Sequence, residues 1–209
     1  MACSQRDTLR CWVPCELRSL VHLFLAPLLI LVGHAFGMAF ETTNSSLTFD
    51  GKPEYEARAD FLLLFAKYTQ WPESALPGGS EEFVIGVVGE DPFGTALNLH
   101  SGSIIQGRKL VIRHFRTAAR ITPCQILYFP SAEEHLLPSL REKILEWNVL
   151  TVGETPHFIE TGGMLWLFTE GERLRFEVNL GALNLARVRV EAKVLRFAKP
   201  VRSDHGCDH

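Results

Sequence analysis

The sequence predicts an α/β fold: a single domain with a mostly parallel central sheet, flanking helices and a C-terminal antiparallel hairpin. Three observations carry that expectation. Helix-like and strand-like segments alternate from residue 55 to 153, the pattern that joins parallel strands through crossovers. The runs FVIGVVG (83–89) and CQILYF (124–129) are apolar without alternation, as strands covered on both faces are. Two alternating segments in MLWLFTEGERLRFEVNL (164–180) flank a turn at 170–172, which is a hairpin signature.

The elements follow in order. In EYEARADFLLLFAKYTQWP, apolar residues recur at Tyr55, Ala59, Leu62, Leu63 and Ala66, the spacing of one helix face. This helix should end near Trp71, because Pro72 disfavours helical geometry just before it. FVIGVVG is the first buried strand, and a short helix is expected from about Phe93 to Leu99. RKLVIRHF (108–115) partly alternates and reads as a second strand, and CQILYF as a third, entered through a turn at Pro123. SAEEHLLPSLREKILEW (131–147) is predicted helical, with Ser131 and Glu134 as a capping box and Pro138 kinking its middle. VLTVG (149–153) is a fourth strand, and the hairpin comes next. The segment 180–199 should be helical with a break near Arg187–Val190.

The first 39 residues stand apart. Arg6, Arg10 and Arg18 precede the 13-residue run LVHLFLAPLLILV, and small residues follow. A basic flank, a short apolar core and a small-residue end describe a secretory signal peptide, cleaved near Ala39 or Ala35. The run is short of the roughly 20 apolar residues that a spanning helix needs. The expected organisation is therefore signal peptide 1–39, polar spacer 40–54, α/β domain 55–201 and polar tail 202–209. Export places the mature chain in an oxidising compartment, where Cys124 and Cys207 are permitted to pair. Cys124 heads an apolar run and reads as a buried thiol used as a small hydrophobe.

Composition narrows the function. With 46% apolar and 22% charged residues, the chain is ordinary globular material. A net charge of −3 gives no electrostatic case for nucleic acid. The common nucleophile, metalloprotease, dithiol and P-loop signatures are all missing. No catalytic residue, metal-ligand set or cofactor is assigned on this basis, and the chain is read as not being an enzyme.

Two stretches echo each other, VVGEDPFG (87–94) and TVGETPHF (151–158). As phosphate loops they are poor, because Glu90, Asp91 and Glu154 would repel the anion. As a catalytic pair, Glu90 and Glu154 would have to meet in space. The simpler reading is two buried strands that end alike: a glycine to turn, Asp91 or Thr155 as a capping residue, and Pro92 or Pro156 to set the next turn. In the hairpin, Leu174, Phe176 and Val178 share one face, while Arg173, Arg175, Glu177 and Asn179 share the other. The polar face is either a solvated surface or a wall that meets a ligand or partner. The pair Gly162-Gly163 before it allows a close backbone approach or an unusual φ.

KYTQWP, FVIGVVGEDPFG, CQILYF, TVGETPHFIETGGM and RLRFEVNL, in this order and spacing, resemble the YfiR family of bacterial periplasmic proteins, from about Ala57 to Val201. The resemblance implies a small exported α/β protein, without catalytic residues, that represses a membrane-bound diguanylate cyclase through its periplasmic region. Such a protein limits cyclic-di-GMP and biofilm formation. It also implies a possible homodimer. By motif match, the candidates for partner or ligand contact are Trp71, Arg175 and Glu177, together with Arg187 and Arg189 of the last helical region. The leading expectation is a regulatory binding protein acting on the periplasmic domain of a membrane diguanylate cyclase or sensor kinase. The alternative is a periplasmic binding protein for a small anionic ligand or nucleotide, held by Arg175, Arg187 and Arg189 in a strand-end crevice. A hydrolase using Glu90, Glu154 and a histidine ranks last.

Overall fold

The computed structural model of the protein describes residues 53–75 and 81–199. The expected signal peptide, most of the spacer, Cys207 and the polar tail lie outside the described residues.

The chain enters through helix α1 (Glu54–Tyr68), with Glu54 and Glu56 in its first turn and Lys67 in its last, as the helix dipole favours. Phe61, Leu62, Phe65 and Ala66 are buried against the sheet. The helix stops at Tyr68, short of Trp71, because the chain turns extended into β1 (Thr69–Gln70). That strand pairs antiparallel with β9 (Arg189–Val190) in a small separate sheet. The side chain of Gln106 donates to the carbonyls of Ala66 (2.8 Å) and Thr69 (2.7 Å), closing the C-terminal end of α1.

The main sheet has seven strands: β2 (Glu82–Val88), β3 (Ile104–Ile105), β4 (Arg108–Phe115), β5 (Ile126–Tyr128), β6 (Leu150–Gly153), β7 (Leu165–Glu170) and β8 (Arg173–Val178). Their order is β3-β4-β2-β5-β6-β7-β8. The pairings from β4 to β7 are parallel, whereas β3–β4 and β7–β8 are antiparallel. The sheet is therefore mixed rather than mostly parallel, with an antiparallel strand at each edge. The β2, β5 and β6 segments are buried almost throughout, which explains their unbroken apolar sequences. Phe61 and Phe65 of α1 pack on Phe176 of β8, with ring centroids 5.8 and 5.1 Å apart. On the other face, Phe158 of α3 (Pro156–Glu160) packs on Phe129 at 5.5 Å.

Three helical expectations need correction. Residues 93–99 form turns, with a short 3-10 turn at Asn98–His100. The 131–147 helix is a 3-10 turn, Ser131–Leu136, followed by α2 (Leu137–Glu146). Pro138 falls in the first turn of α2, where a missing N–H costs nothing, so it starts the helix instead of kinking it. The capping box does not form, since Ser131 and Glu134 both bond to the chain after β6. The 180–199 segment divides into α4 (Leu180–Leu185), β9 and α5 (Ala192–Leu195). The side chain of Asn179 caps α4 by accepting from the Ala182 N–H at 2.9 Å. Arg187 has φ +55° and lies in the turn after α4, and Arg189 is on β9, so neither is helical.

Candidate functional site

Counted along the chain, the parallel strands β2, β4, β5, β6 and β7 stand in the order 2-1-3-4-5. The direction of winding reverses between β2 and β5, and in open α/β sheets the crevice outside the carboxyl ends at that point is the usual binding place. Both echo loops open on this edge. Glu90 is exposed, Asp91 and Glu133 are half-buried, and a Cβ on Gly89 would come within 2.6 Å of the Glu133 side chain. The edge is thus lined with carboxylates, which disfavours an anion there.

Glu154 differs from Glu90 in being fully engaged. Tyr128 donates its hydroxyl to Glu154 Oε1 at 2.5 Å, and the Ser131 N–H donates to Oε2 at 2.9 Å. The indole N–H of Trp166 donates to the Glu154 carbonyl at 2.9 Å. The buried carboxylate of Glu134 accepts from the N–H groups of Glu154 (2.5 Å) and Thr155 (2.9 Å), and from the Thr155 hydroxyl. Strand β5 lies between the two loops, so Glu90 and Glu154 follow strands roughly 10 Å apart. With one carboxylate committed to donors and the other open to solvent, they do not form a paired acid–base site.

The same end of the sheet holds a buried arginine that sequence reasoning overlooked. Arg58 of α1 donates to Glu54 Oε1 from Nε (3.1 Å) and Nη2 (2.5 Å), and to the Leu167 carbonyl from Nη1 (3.1 Å). Burial works against its charge, but Tyr128, Glu54 and Glu154 outweigh this and hold its pKa above the ordinary value. Glu54 is lowered, chiefly by its hydrogen bond to Arg58. Burial raises the Tyr128 phenol strongly and Tyr55 more modestly, with Glu154 adding to both. The cluster keeps its phenols neutral and its ion pair closed, which fastens α1 to the strand ends. A charged residue on a helix face otherwise read as apolar was the available signal in the sequence.

The residues expected to make contact fall in two places. Arg175 and Glu177 lie on the outward face of the β7–β8 hairpin, opposite Phe168 and Trp166 respectively. All four are half-buried, and the Trp166 and Phe168 rings lie 4.5 Å apart. Arg175 Nε is 3.3 Å from Glu170 Oε2, and Lys199 sits over the Phe168 ring at 5.2 Å. Trp71, Arg187 and Arg189 belong to the other end of the parallel strands. Trp71 packs edge-on against Phe83 at the start of β2, at 5.2 Å, with its indole N–H buried and unpartnered. Asn148 joins this corner together, accepting from Ser74 Oγ and donating to the Ala186 carbonyl, both at 3.0 Å. The 15-residue α1 runs between the two ends, a span of about 22 Å. The three arginines expected to grip one anion therefore do not converge. Gly162 takes φ +100°, and a Cβ on Gly163 would sit 2.2 Å from the Phe158 ring, so the glycine pair serves both an unusual φ and a close approach.

Among the described residues, no helix is long and apolar enough to cross a membrane, and no three His, Cys, Asp or Glu side chains are placed to hold a metal ion.

A family model described as YfiR/HmsC-like matches residues 55–199. No curated protein matches. A crystal structure of a conserved domain protein from Vibrio cholerae O1 biovar El Tor is similar at 13% identity and a TM-score of 0.41. That similarity covers 70% of this chain and 59% of the other, less than two thirds of its length.

Proposed function

The chain belongs to the YfiR/HmsC-like family, and from that premise we propose that it is an exported periplasmic regulator that binds the periplasmic domain of a membrane diguanylate cyclase and restrains cyclic-di-GMP synthesis. The family match over residues 55–199 is the observation that carries this reading. The geometry supports binding over chemistry, because Glu154 is tied up as a structural acceptor while Glu90 stands in solvent beyond the intervening strand β5, so the two do not act as a pair.

The hairpin face is the contact surface we assign. It offers Trp166 and Phe168 side by side, with Arg175 and Glu177 across the strand. Aromatic and arginine anchors are what dominate protein interfaces. The test is recovery of a partner from detergent-solubilised membranes with the tagged full-length protein as bait. A captured protein with GTP-to-cyclic-di-GMP activity, inhibited by the bait, supports the reading. Recovery of no cyclase sinks it. An Arg175→Gln change should weaken capture at least tenfold while costing the fold only the loss of one partly exposed ion pair with Glu170, and unchanged capture would move the interface off the hairpin.

A further inference from the structure

A pocket of about 250 Å³ lies between α2, the turn after α3 and α4, apart from both groups of residues described above. Its floor is apolar: Leu137, Ile144 and Met164 are each 5% exposed or less. Gly162 and Gly181 form parts of the wall where no side chain fills the space. Leu185 at the lip is 61% exposed, and Leu180 on the same helix is 58% exposed. Large apolar residues left in water beside an apolar hollow are what a ligand site shows when empty of competing side chains.

The polar groups around the hollow are few and unequal. Asn179 is used in capping α4, and the Thr161 hydroxyl donates to the carbonyls of His157 and Phe158. Glu160, next to Thr161 in the chain, pairs with His157 at 3.2 Å. Arg141 has no hydrogen-bond or ion-pair partner among the described residues. Its Nη1 lies over Gly162, 3.3 Å from where a Cβ there would stand, and φ +100° at Gly162 keeps that position bare. One unpaired guanidinium at the mouth of an apolar hollow is complementary to a molecule with one anionic end and an apolar body. The volume falls below the 300–1,000 Å³ typical of drug-sized ligands, so the molecule is smaller than those.

We propose that this pocket binds a small amphipathic monocarboxylate, its apolar body against Leu137, Ile144 and Met164 and its carboxylate on Arg141. The inference is independent of the cyclase partner. The probes are octanoate and 1-octanol, titrated into the full-length protein carrying methyl-¹³C methionine, with the Met164 resonance assigned through Met164→Leu. Octanoate should shift the Met164 signal saturably and bind about tenfold more tightly than octanol. Arg141→Gln, at an exposed position, should abolish that preference while leaving the octanol titration and the melting temperature unchanged. A Met164 signal indifferent to octanoate overturns the proposal. So does equal affinity for the two probes, or an octanoate preference that survives Arg141→Gln.

Discussion

The tripeptide Val-Gly-Glu ends both β2 and β6, and the two copies meet opposite fates. After β2, Gly89 turns left-handed at φ +73°, Glu90 points to water, and Asp91 accepts from the Phe93 N–H to make a local turn. After β6, Gly153 stays in the strand against Phe158, and Glu154 is held by Tyr128, Ser131 and Glu134. Identical local chemistry thus ends in a solvated loop at one strand and a locked junction at the other. The difference comes from neighbours distant in sequence: β6 has the 131–136 turn to one side to supply a buried carboxylate, and β2 does not use one.

The sharpest way to break the contrast is at the glycines. Gly163→Ala would press a Cβ to 2.6 Å from the Phe158 carbonyl, and Gly153→Ala to 2.3 Å from the Phe158 ring. Each should cost about 3 kcal/mol or more in denaturant unfolding, because backbone and a buried ring have nowhere to move. Gly89→Ala meets only the Glu133 side chain, so the left-handed φ dominates and the cost is about 1–2 kcal/mol. Equal losses at the two sites would show the loops to be alike after all.

Next in size is the buried carboxylate. Glu134→Ala strips the acceptor from two N–H groups and a hydroxyl and should cost about 2–4 kcal/mol, whereas Glu90→Ala should stay within 0.5 kcal/mol or so.

The third test uses pH. Tyr128 is raised by burial, so the fold favours its protonated form. That contribution is complete below the unfolded value of 10.0 and declines as pH climbs past it. Cys124, pushed up by burial to about 12 from 9.0, begins the same decline earlier. Urea midpoints should therefore fall from about pH 9 upward. Tyr128→Phe should make the limb above pH 10 shallower while costing about 1 kcal/mol at neutrality, and Glu90→Gln should leave the limb alone. An unchanged slope in Tyr128→Phe would mean that another group sets it.

The smallest effect belongs to Glu54. Its lowered pKa stabilises the fold above its unfolded value of 4.5 and is lost as pH falls below that. Its side chain is 50% exposed, so Glu54→Gln should cost only about 0.5 kcal/mol at pH 7, measured by thermal melting.

The sequence was a good guide where one segment settles its own structure. FVIGVVG and RKLVIRHF became strands because an unbroken or alternating apolar run admits few other solutions. It misled where a local motif was used at long range: Glu134 has the spacing of a cap for its own turn, yet it serves residues 20 and 21 positions away. Two-residue strands such as β1, β3 and β9 leave no periodic trace. Nor does Arg187, a non-glycine at φ +55°, announce that a helix stops before it. That Arg175 and Glu177 share one face of the hairpin was readable because strand alternation is strict, whereas the burial of Arg58 was hidden, its carbonyl partner lying 109 residues downstream.

That last separation bears on how the chain assembles. The apolar side of α1 closes on Phe176, and its arginine on Leu167, near the opposite end of the domain. During synthesis α1 is therefore made well before the strands that complete its seat. Its contacts with Phe176 and Leu167 cannot form until more than a hundred further residues exist, whereas Phe93 and Gln106 reach it earlier. Until the hairpin exists, that face of α1 has only its nearer partners to cover it.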